Sequence, residues 1–182
     1  MDRKTTIGFG GGCHWCTEAV FQSLKGVYKV EQGYIASFDE NDAFSEAVIV
    51  HYNPNEIPLK VLIEIHLHTH MSASNHSMRY KYRSAVYTFA KSQEKESNHI
   101  IERLQKHFNG KLITAVLPFS RFKASREAIQ NYYHKNPNKP FCETFINPKL
   151  KLLLKQFSAY TNPSKLNHLI KNEQKQINEV SI

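Results

Sequence analysis

Cysteine and glycine come together once in this chain, in Gly10-Gly11-Gly12-Cys13-His14-Trp15-Cys16, and the spacing suits thiol chemistry. A strand that runs through glycines into a helix leaves Cys13 at the helix amino terminus, where unpaired backbone N–H groups and the positive end of the dipole face its sulfur. Both favour thiolate, so Cys13 is a candidate nucleophile, and the glycines let a substrate approach the backbone closely. The plainer reading is a small buried thiol in a βα turn. Trp15, the single tryptophan, sits two residues away and offers a wall for a small apolar group, or else a core residue. Cys16 lies one helical turn from Cys13, within reach of any oxidised or mixed species formed there, as in dithiol oxidoreductases. Zinc would need two more ligands. Of His66, His68 and His70, only His66 and His70 share a helix face, and no second Cys-x-x-Cys exists, so no metal is expected.

Such residues need a frame to hold them. Residues 4–10 alternate Ile7 and Phe9 with smaller side chains as a strand does, and the glycine run ends it. The helix that follows carries Cys16, Val20, Phe21 and Leu24 at spacings of three and four, with Glu18 placed in its first turn and Gly26 closing it. Strand-like runs at 27–34 and 46–52 flank a polar segment at 37–42. Pro58 opens a helix to about His70, and 83–89 reads as a strand. Ser92 is expected to cap a helix carrying Ile100, Ile101, Leu104 and Phe108, which Asn109-Gly110 ends. A strand at 112–117 follows. From Ser120 the chain reads as helical or irregular, punctuated by Pro137, Pro140, Pro148 and Pro163. This order predicts an α+β fold, an α/β sandwich of ferredoxin-like type with a mixed sheet and packed helices. The expected division is one domain over 1–157 and a basic, helical or irregular carboxy-terminal extension over 158–182.

Composition narrows what the site can serve. With 182 residues, 41% of them hydrophobic, the chain can bury one core. Apolar stretches such as 59–67 are broken by Lys, Glu or His and fall far short of the ~20 residues of a membrane span. Met1-Asp2-Arg3-Lys4 lacks the apolar centre and small-residue cleavage site of a secretory signal, so a cytoplasmic location is expected. Three cysteines do not make a disulfide scaffold, and a Cys-x-x-Cys in a reducing compartment points to redox or metal chemistry. The net charge of +8 is concentrated late: Lys149, Lys151, Lys155, Lys165, Lys171 and Lys175 face only Glu173 and Glu179. A nucleic-acid patch is one reading of that tail, and a solvated helix face is the plainer and favoured one.

The segment from Gly11 to Glu18 resembles the active-site motif of the A-type peptide methionine sulfoxide reductases, Gly-Cys-Phe-Trp followed by Gly or Cys and, two residues on, Glu. Gly26-Val27 and Gly33-Tyr34 follow at that family's spacing. Glu46-Ala47-Val48 with Tyr52-Asn53-Pro54 is similar to its His-Ala-Glu-Val to Tyr-Asp-Pro stretch, and Tyr82-Arg83-Ser84-Ala85 to its Gln-Tyr-Arg-Ser-Ala. Asn136-Pro137, Pro140-Phe141-Cys142, Ile146 and Pro148-Lys149-Leu150 resemble the end of one branch, so the likeness covers roughly residues 5–157.

The resemblance implies reduction of the S epimer of methionine sulfoxide, free or in oxidised proteins under repair. It makes Cys13 the nucleophile and Trp15 the surface packed on the substrate methyl, with His14 and Tyr34 beside it as substrate-binding residues. Glu46 would give a proton to the sulfoxide oxygen and Tyr82 would hydrogen-bond it. The chemistry agrees, because a sulfoxide sulfur is a poor electrophile until its oxygen is protonated or strongly hydrogen-bonded. Without the resemblance, Glu46 would read as an exposed glutamate at a strand end. The resulting sulfenic acid on Cys13 would condense with a second thiol, either the local Cys16, which is favoured, or Cys142 in its Pro-bounded segment. Thioredoxin or another dithiol would reduce the disulfide. No cofactor, no membrane partner and a monomeric state are expected.

Four departures from the family stand out. His14 replaces a Phe and, if protonated, would pair with the Cys13 thiolate. The segment between Tyr34 and Glu46 is short and lacks an oxygen-binding tyrosine, for which neither Tyr80 nor Phe38 stands in. Ser77, Arg79 and Lys81 occupy positions where Asp, Gly and Gln are common, and Ala128-Ile129-Gln130 replaces Tyr-His-Gln. The reading is a working but divergent reductase of altered substrate range. Its alternative is a catalytically weak paralogue, a thiol redox sensor or binding module in which Cys13 and Cys16 form a disulfide without turnover.

Overall fold

A computed structural model of the protein describes residues 4–180. Residues 1–3 of the amino-terminal segment, 181–182 of the extension and the side chains of Glu173 and Glu179 lie outside the described residues. The elements run β1 (Thr5–Gly10), α1 (His14–Gln22), β2 (Val27–Ala36), β3 (Ser45–Tyr52), α2 (Leu59–Thr69), β4 (Ala85–Thr88) and α3 (Lys91–Leu104). They continue with β5 (Ala115–Pro118), β6 (Arg121–Ala124), α4 (Tyr132–Lys135), α5 (Asn147–Gln156) and α6 (Asn167–Val180). The sheet order is β5-β4-β1-β3-β2-β6. Its four central strands, β4-β1-β3-β2, pair antiparallel throughout, and two βαβ-type crossovers through α1 and α2 connect them, which is the ferredoxin-like arrangement expected. β5 adds parallel to β4 and β6 antiparallel to β2, making the sheet mixed.

The two-residue period of the strands sorts the core. Ile7 and Phe9 of β1 and Val48 and Val50 of β3 belong to the cluster that includes Val20 and Phe21 of α1, Leu24, which the sequence places in that helix but which lies just past its end at Gln22, and Leu62 and Ile63 of α2. Ala47, Ile49, Ala85 and Tyr87 form a second cluster with Ile35, onto which Leu117, Phe119 and Phe122 pack. β3 is apolar from Ala47 to Val50 because both of its faces are covered.

Three expectations need correction. Ser92 does not cap α3: the helix starts at Lys91 with Ala90 as its N-cap, so Ser92 lies inside its first turn, and the Gln93 side chain accepts the Phe89 N–H at 2.8 Å. Glu18 is not in the first turn of α1, because it is the fifth residue of a helix that starts at His14, and its carboxyl is buried. The stretch after Ser120 is not wholly helical or irregular, since Arg121–Ala124 forms β6. This short edge strand buries none of its four residues, so it carries no apolar alternation to read. It approaches β2 closely enough that a Cβ on Gly33 would meet the Lys123 carbonyl oxygen at 2.2 Å.

The chain after Phe157 packs partly on α1. Lys25 N–H donates to the Tyr160 carbonyl and Asn162 N–H to that of Ser23, both at 2.8 Å, and Leu166 and Leu169 join the main core.

Candidate active site

β1 and α1 meet at Gly10 to Cys13. Gly11 admits no side chain, since a Cβ would lie 2.4 Å from the His70 ring. Its carbonyl accepts a hydrogen bond from the Arg79 guanidinium at 2.9 Å, and the same group donates to the carbonyls of Tyr82, Ser74 and Met71. One cation therefore ties the turn before Cys13 to the segment carrying Tyr82.

Cys13 occupies the N-cap of α1, its carbonyl accepting the N–H groups of Cys16 and Thr17 at 3.1 and 3.2 Å. Its half-buried thiol is held below the usual range, chiefly by the hydrogen bond from the Cys16 side chain and further by the backbone N–H groups of Trp15 and Cys16. Burial and the Glu46 carboxylate oppose this. The same contact, with burial, pushes the Cys16 thiol strongly upward. The Lys149 ammonium, donating to the Thr69 carbonyl, acts on Cys16 in the opposite sense, while burial lowers the proton affinity of Lys149 itself. Cys142 is fully buried at the start of a π-helical turn, Cys142–Ile146, its Sγ 3.5 Å from the Asn136 carbonyl oxygen, and burial pushes its thiol up. All three cysteines are free.

Glu46, the second residue of β3, is 7% exposed. Its N–H donates to the Lys81 carbonyl at 3.0 Å, the Ser45 hydroxyl donates to the same oxygen, and Arg83 N–H donates to Ser45 Oγ. These bonds dock the segment carrying Tyr82 onto the start of β3. Its carboxyl accepts the His14 N–H on Oε2 at 3.1 Å and has Lys81 Nζ 3.5 Å from Oε1. Lys81 also lies 5.0 Å from the centre of the Tyr82 ring.

The His14 ring turns inward. It is 3% exposed, its Nδ1 lies 2.8 Å from the Gly33 carbonyl, its Nε2 lies 3.7 Å from Glu46 Oε2, and its edge meets Tyr34 with centroids 5.2 Å apart. Burial is the main cause lowering its proton affinity, which disfavours the protonated ring that an ion pair with the Cys13 thiolate would need. Trp15 lies face to face with Tyr132, centroids 4.0 Å apart, and edge to face with Phe141 at 5.3 Å. Glu18 holds this stack from below, accepting the Tyr132 N–H and the Gln32 amide.

Thus Cys13, Cys16, His14, Glu46 and Tyr34 come together, and hydrogen bonds through Lys81 and Arg79 bring in the Tyr82 segment. Sequence reasoning missed Arg79, Lys149 and Tyr132 as parts of the site. Pro148-Lys149-Leu150 was a visible motif, whereas nothing local marked Tyr132. His66 and His70 are used structurally: His66 Nε2–H donates to the Gly10 carbonyl, and His70 Nε2 accepts from Ser84 Oγ. Burial keeps both neutral, pushing His70 down to about 4. Among the described residues no group of three or more His, Cys, Asp or Glu is placed to hold a metal ion. A surface concavity of about 920 Å³, lined by Thr6, Glu31, His51, Phe89 and Gln93 among others, includes none of the thiols.

The family model described as peptide methionine sulfoxide reductase matches residues 5–162. The chain is 36% identical over 171 residues to the peptide methionine sulfoxide reductase MsrA of a Psychrobacter species, covering 85% of this chain and 97% of that one. It is 35% identical over 161 residues to that of Deinococcus radiodurans, covering 80% and 78%. Among solved structures, Mxr1 from Saccharomyces cerevisiae in reduced form shares the fold with a TM-score of 0.70 at 24% identity, over 79% of this chain and 91% of that one. Mxr1 in complex with Trx2 gives 0.58 at 24% identity, over 71% and 85%.

Proposed function

Because the chain belongs to the peptide methionine sulfoxide reductase family, we propose that it reduces methionine S-sulfoxide, free or in oxidised proteins, with Cys13 as nucleophile and Glu46 as acid. The observation that supports this most directly is a thiol lowered by its helix position and by Cys16, with a nearly buried carboxyl close enough to act on it electrostatically. The Cys13 thiolate attacks the sulfoxide, the Glu46 proton moves to the sulfoxide oxygen, and that oxygen passes to Cys13. Thiolate, sulfoxide and carboxylic acid become sulfenic acid, thioether and carboxylate; the cysteine sulfur loses two electrons and the sulfoxide sulfur gains them.

Tyr82 is assigned as hydrogen-bond donor to the same oxygen, and Trp15 with Tyr34 as the surface for the methyl group. Cys16 then attacks the sulfenic sulfur, releasing water and leaving a Cys13–Cys16 disulfide. Its side-chain hydrogen bond to Cys13 supports this choice over Cys142, which is closed in its own helical turn. Thioredoxin is the proposed external reductant, on the analogy of Mxr1 with Trx2. A repair role in the cytoplasm follows from the same reading. No described helix is long and apolar enough to cross a membrane.

Turnover of a protected methionine S-sulfoxide beside its R epimer, with dithiothreitol and with the thioredoxin system, tests the proposal. Activity on the S epimer alone, lost in Cys13→Ser, is the expected result. Absence of turnover together with peroxide-driven Cys13–Cys16 disulfide formation would replace it with the redox-sensor reading.

A further inference from the structure

The negative charge of the site lies inside it, and positive charge flanks it. Glu46 and Glu18 are both almost wholly removed from water, and Glu18 is engaged by Gln32 and Tyr132. Three lysines approach from three separate segments. Lys81, at a position where Gln is common in the family, holds a half-exposed ammonium 3.5 Å from Glu46 Oε1 and 5.0 Å from the centre of the Tyr82 ring. Lys123 of β6 pairs in register with Tyr34 of β2, which pairs in turn with Glu46 of β3. Residues directly opposite in antiparallel strands project to the same face, so Lys123 extends the row of Glu46 and Tyr34 to the sheet edge. Lys139 Nζ lies 4.5 Å from the centre of the Tyr132 ring, whose other face is stacked on Trp15, which puts a third ammonium one ring thickness beyond the indole.

Lys123 and Lys139 are exposed and, among the described residues, form no ion pair with a carboxylate. Arg121, on the same side of β6 as Lys123, is already used by the Asp42 carbonyl and the Phe44 ring. Asp39, Glu40 and Asp42 in the neighbouring turn pair with none of the three lysines. A neutral peptide entering here strips water from the ammonium groups without return, whereas a carboxylate beside the sulfoxide replaces that water with an ion pair.

We propose that Lys81, Lys123 and Lys139 determine substrate class, and that the preferred substrate is methionine sulfoxide flanked by Asp or Glu in an acidic polypeptide. The proposal rests on the reductase reading for the sulfoxide. When Glu46 carries the proton assigned to it, Lys81 loses its counter-charge within the protein, and a flanking carboxylate supplies one. The ammonium groups stand on the Glu46, Tyr34 and Trp15 sides of the site, so the single α-carboxylate of the free amino acid cannot meet them together, whereas side chains before and after the sulfoxide can. The net charge of +8 draws the same peptides toward the protein from a distance.

The test compares two capped peptides on the full chain, Asp-(methionine S-sulfoxide)-Asp and its Asn-flanked counterpart of the same shape. At low salt kcat/KM should favour the acidic peptide by about tenfold, mainly through KM, and the ratio should approach one at 1 M salt, where the Debye length is about 3 Å. Lys81→Gln, Lys123→Gln and Lys139→Gln should each cut the ratio about two- to threefold, as exposed ion pairs do. Any effect of Lys81→Gln on Glu46 cancels in the ratio. Lys95→Gln, on the exposed side of α3, should leave it unchanged. Equal kcat/KM for the two peptides, or a ratio that these three variants do not move, would overturn the proposal while leaving the reductase reading in place. A gain confined to free methionine sulfoxide over its amide would also overturn it, since the lysines would then read the amino acid's own carboxylate. Trp15 is the single tryptophan, so its fluorescence reports peptide binding to Cys13→Ser without turnover. Tighter binding of the acidic peptide by a protein whose wild type turns over neither would keep the lysine rim and remove the reductase reading; neither binding nor turnover would remove both.

Discussion

Trp15 and Tyr132 stack with ring planes 8° apart, although more than a hundred residues separate them in the chain. Tyr132 covers one face of the tryptophan, and Phe141 presents its edge to it, so the indole is fixed before any substrate arrives. Removing the stack should free the indole and weaken recognition of the methyl group. Aromatic pairs contribute about 0.5–1.5 kcal/mol beyond the area they bury. Tyr132→Ala should therefore raise KM by up to about tenfold with a smaller effect on kcat, while Tyr132→Phe stays near wild type. Steady-state kinetics on a sulfoxide-containing peptide would show it; equal KM values in all three proteins would exclude the role.

The Cys16 side chain is the first cause of the lowered Cys13 thiol. Cys16→Ala should move the pH inflection of Cys13 alkylation upward and slow the reaction at neutral pH, since less thiolate is present. The rate of iodoacetamide labelling, mapped to Cys13 by mass spectrometry, measures this. The same variant should release one methionine per molecule and then stall with thioredoxin as sole reductant.

Arg79 donates to four backbone carbonyls on both sides of the site. Arg79→Ala should lower kcat on the order of tenfold or more through misplacement of the Gly11 turn and the Tyr82 segment. It should also cost roughly 1.5–3 kcal/mol of stability, read by urea unfolding, as loss of hydrogen bonds to a charged group does. Arg79→Lys should restore only part, because an ammonium lacks the planar fork that reaches several carbonyls together.

His70 is pushed down to about 4 by burial from an ordinary value of 6.5. Between these values the unfolded chain binds the proton and the folded one does not, so stability falls as pH drops from 6.5 through 4. His70→Gln should flatten that part of the stability–pH curve, as measured by urea midpoints at half-unit steps. An unchanged slope would mean that other groups set it.

Much of this arrangement is legible in sequence because it is local. The strand, the glycines and the helix around Cys13 each follow from residues within one turn of their neighbours, and the periodicity of Ile7 and Phe9 survives in the core. What escaped depends on distant partners. β6 has a single large apolar residue, Phe122, and becomes a strand only because β2 offers an edge with Gly33 bare of a side chain. Ser92 has good capping chemistry, but α3 starts at Lys91 and takes the serine into its first turn. His14 announces a titratable group beside the thiol, yet only the positions of Gly33 and Glu46 show which way its ring faces.

The helix that Cys13 caps is clasped at its far end by residues more than a hundred positions further along: Tyr160 receives the Lys25 N–H, Asn162 donates to Ser23, and Lys165 donates to the Gln22 carbonyl. During synthesis these partners leave the ribosome long after the thiol does. The nascent protein therefore carries Cys13 at the start of a helix whose clasp has not yet been made, and that clasp closes only once residues 160–165 have emerged.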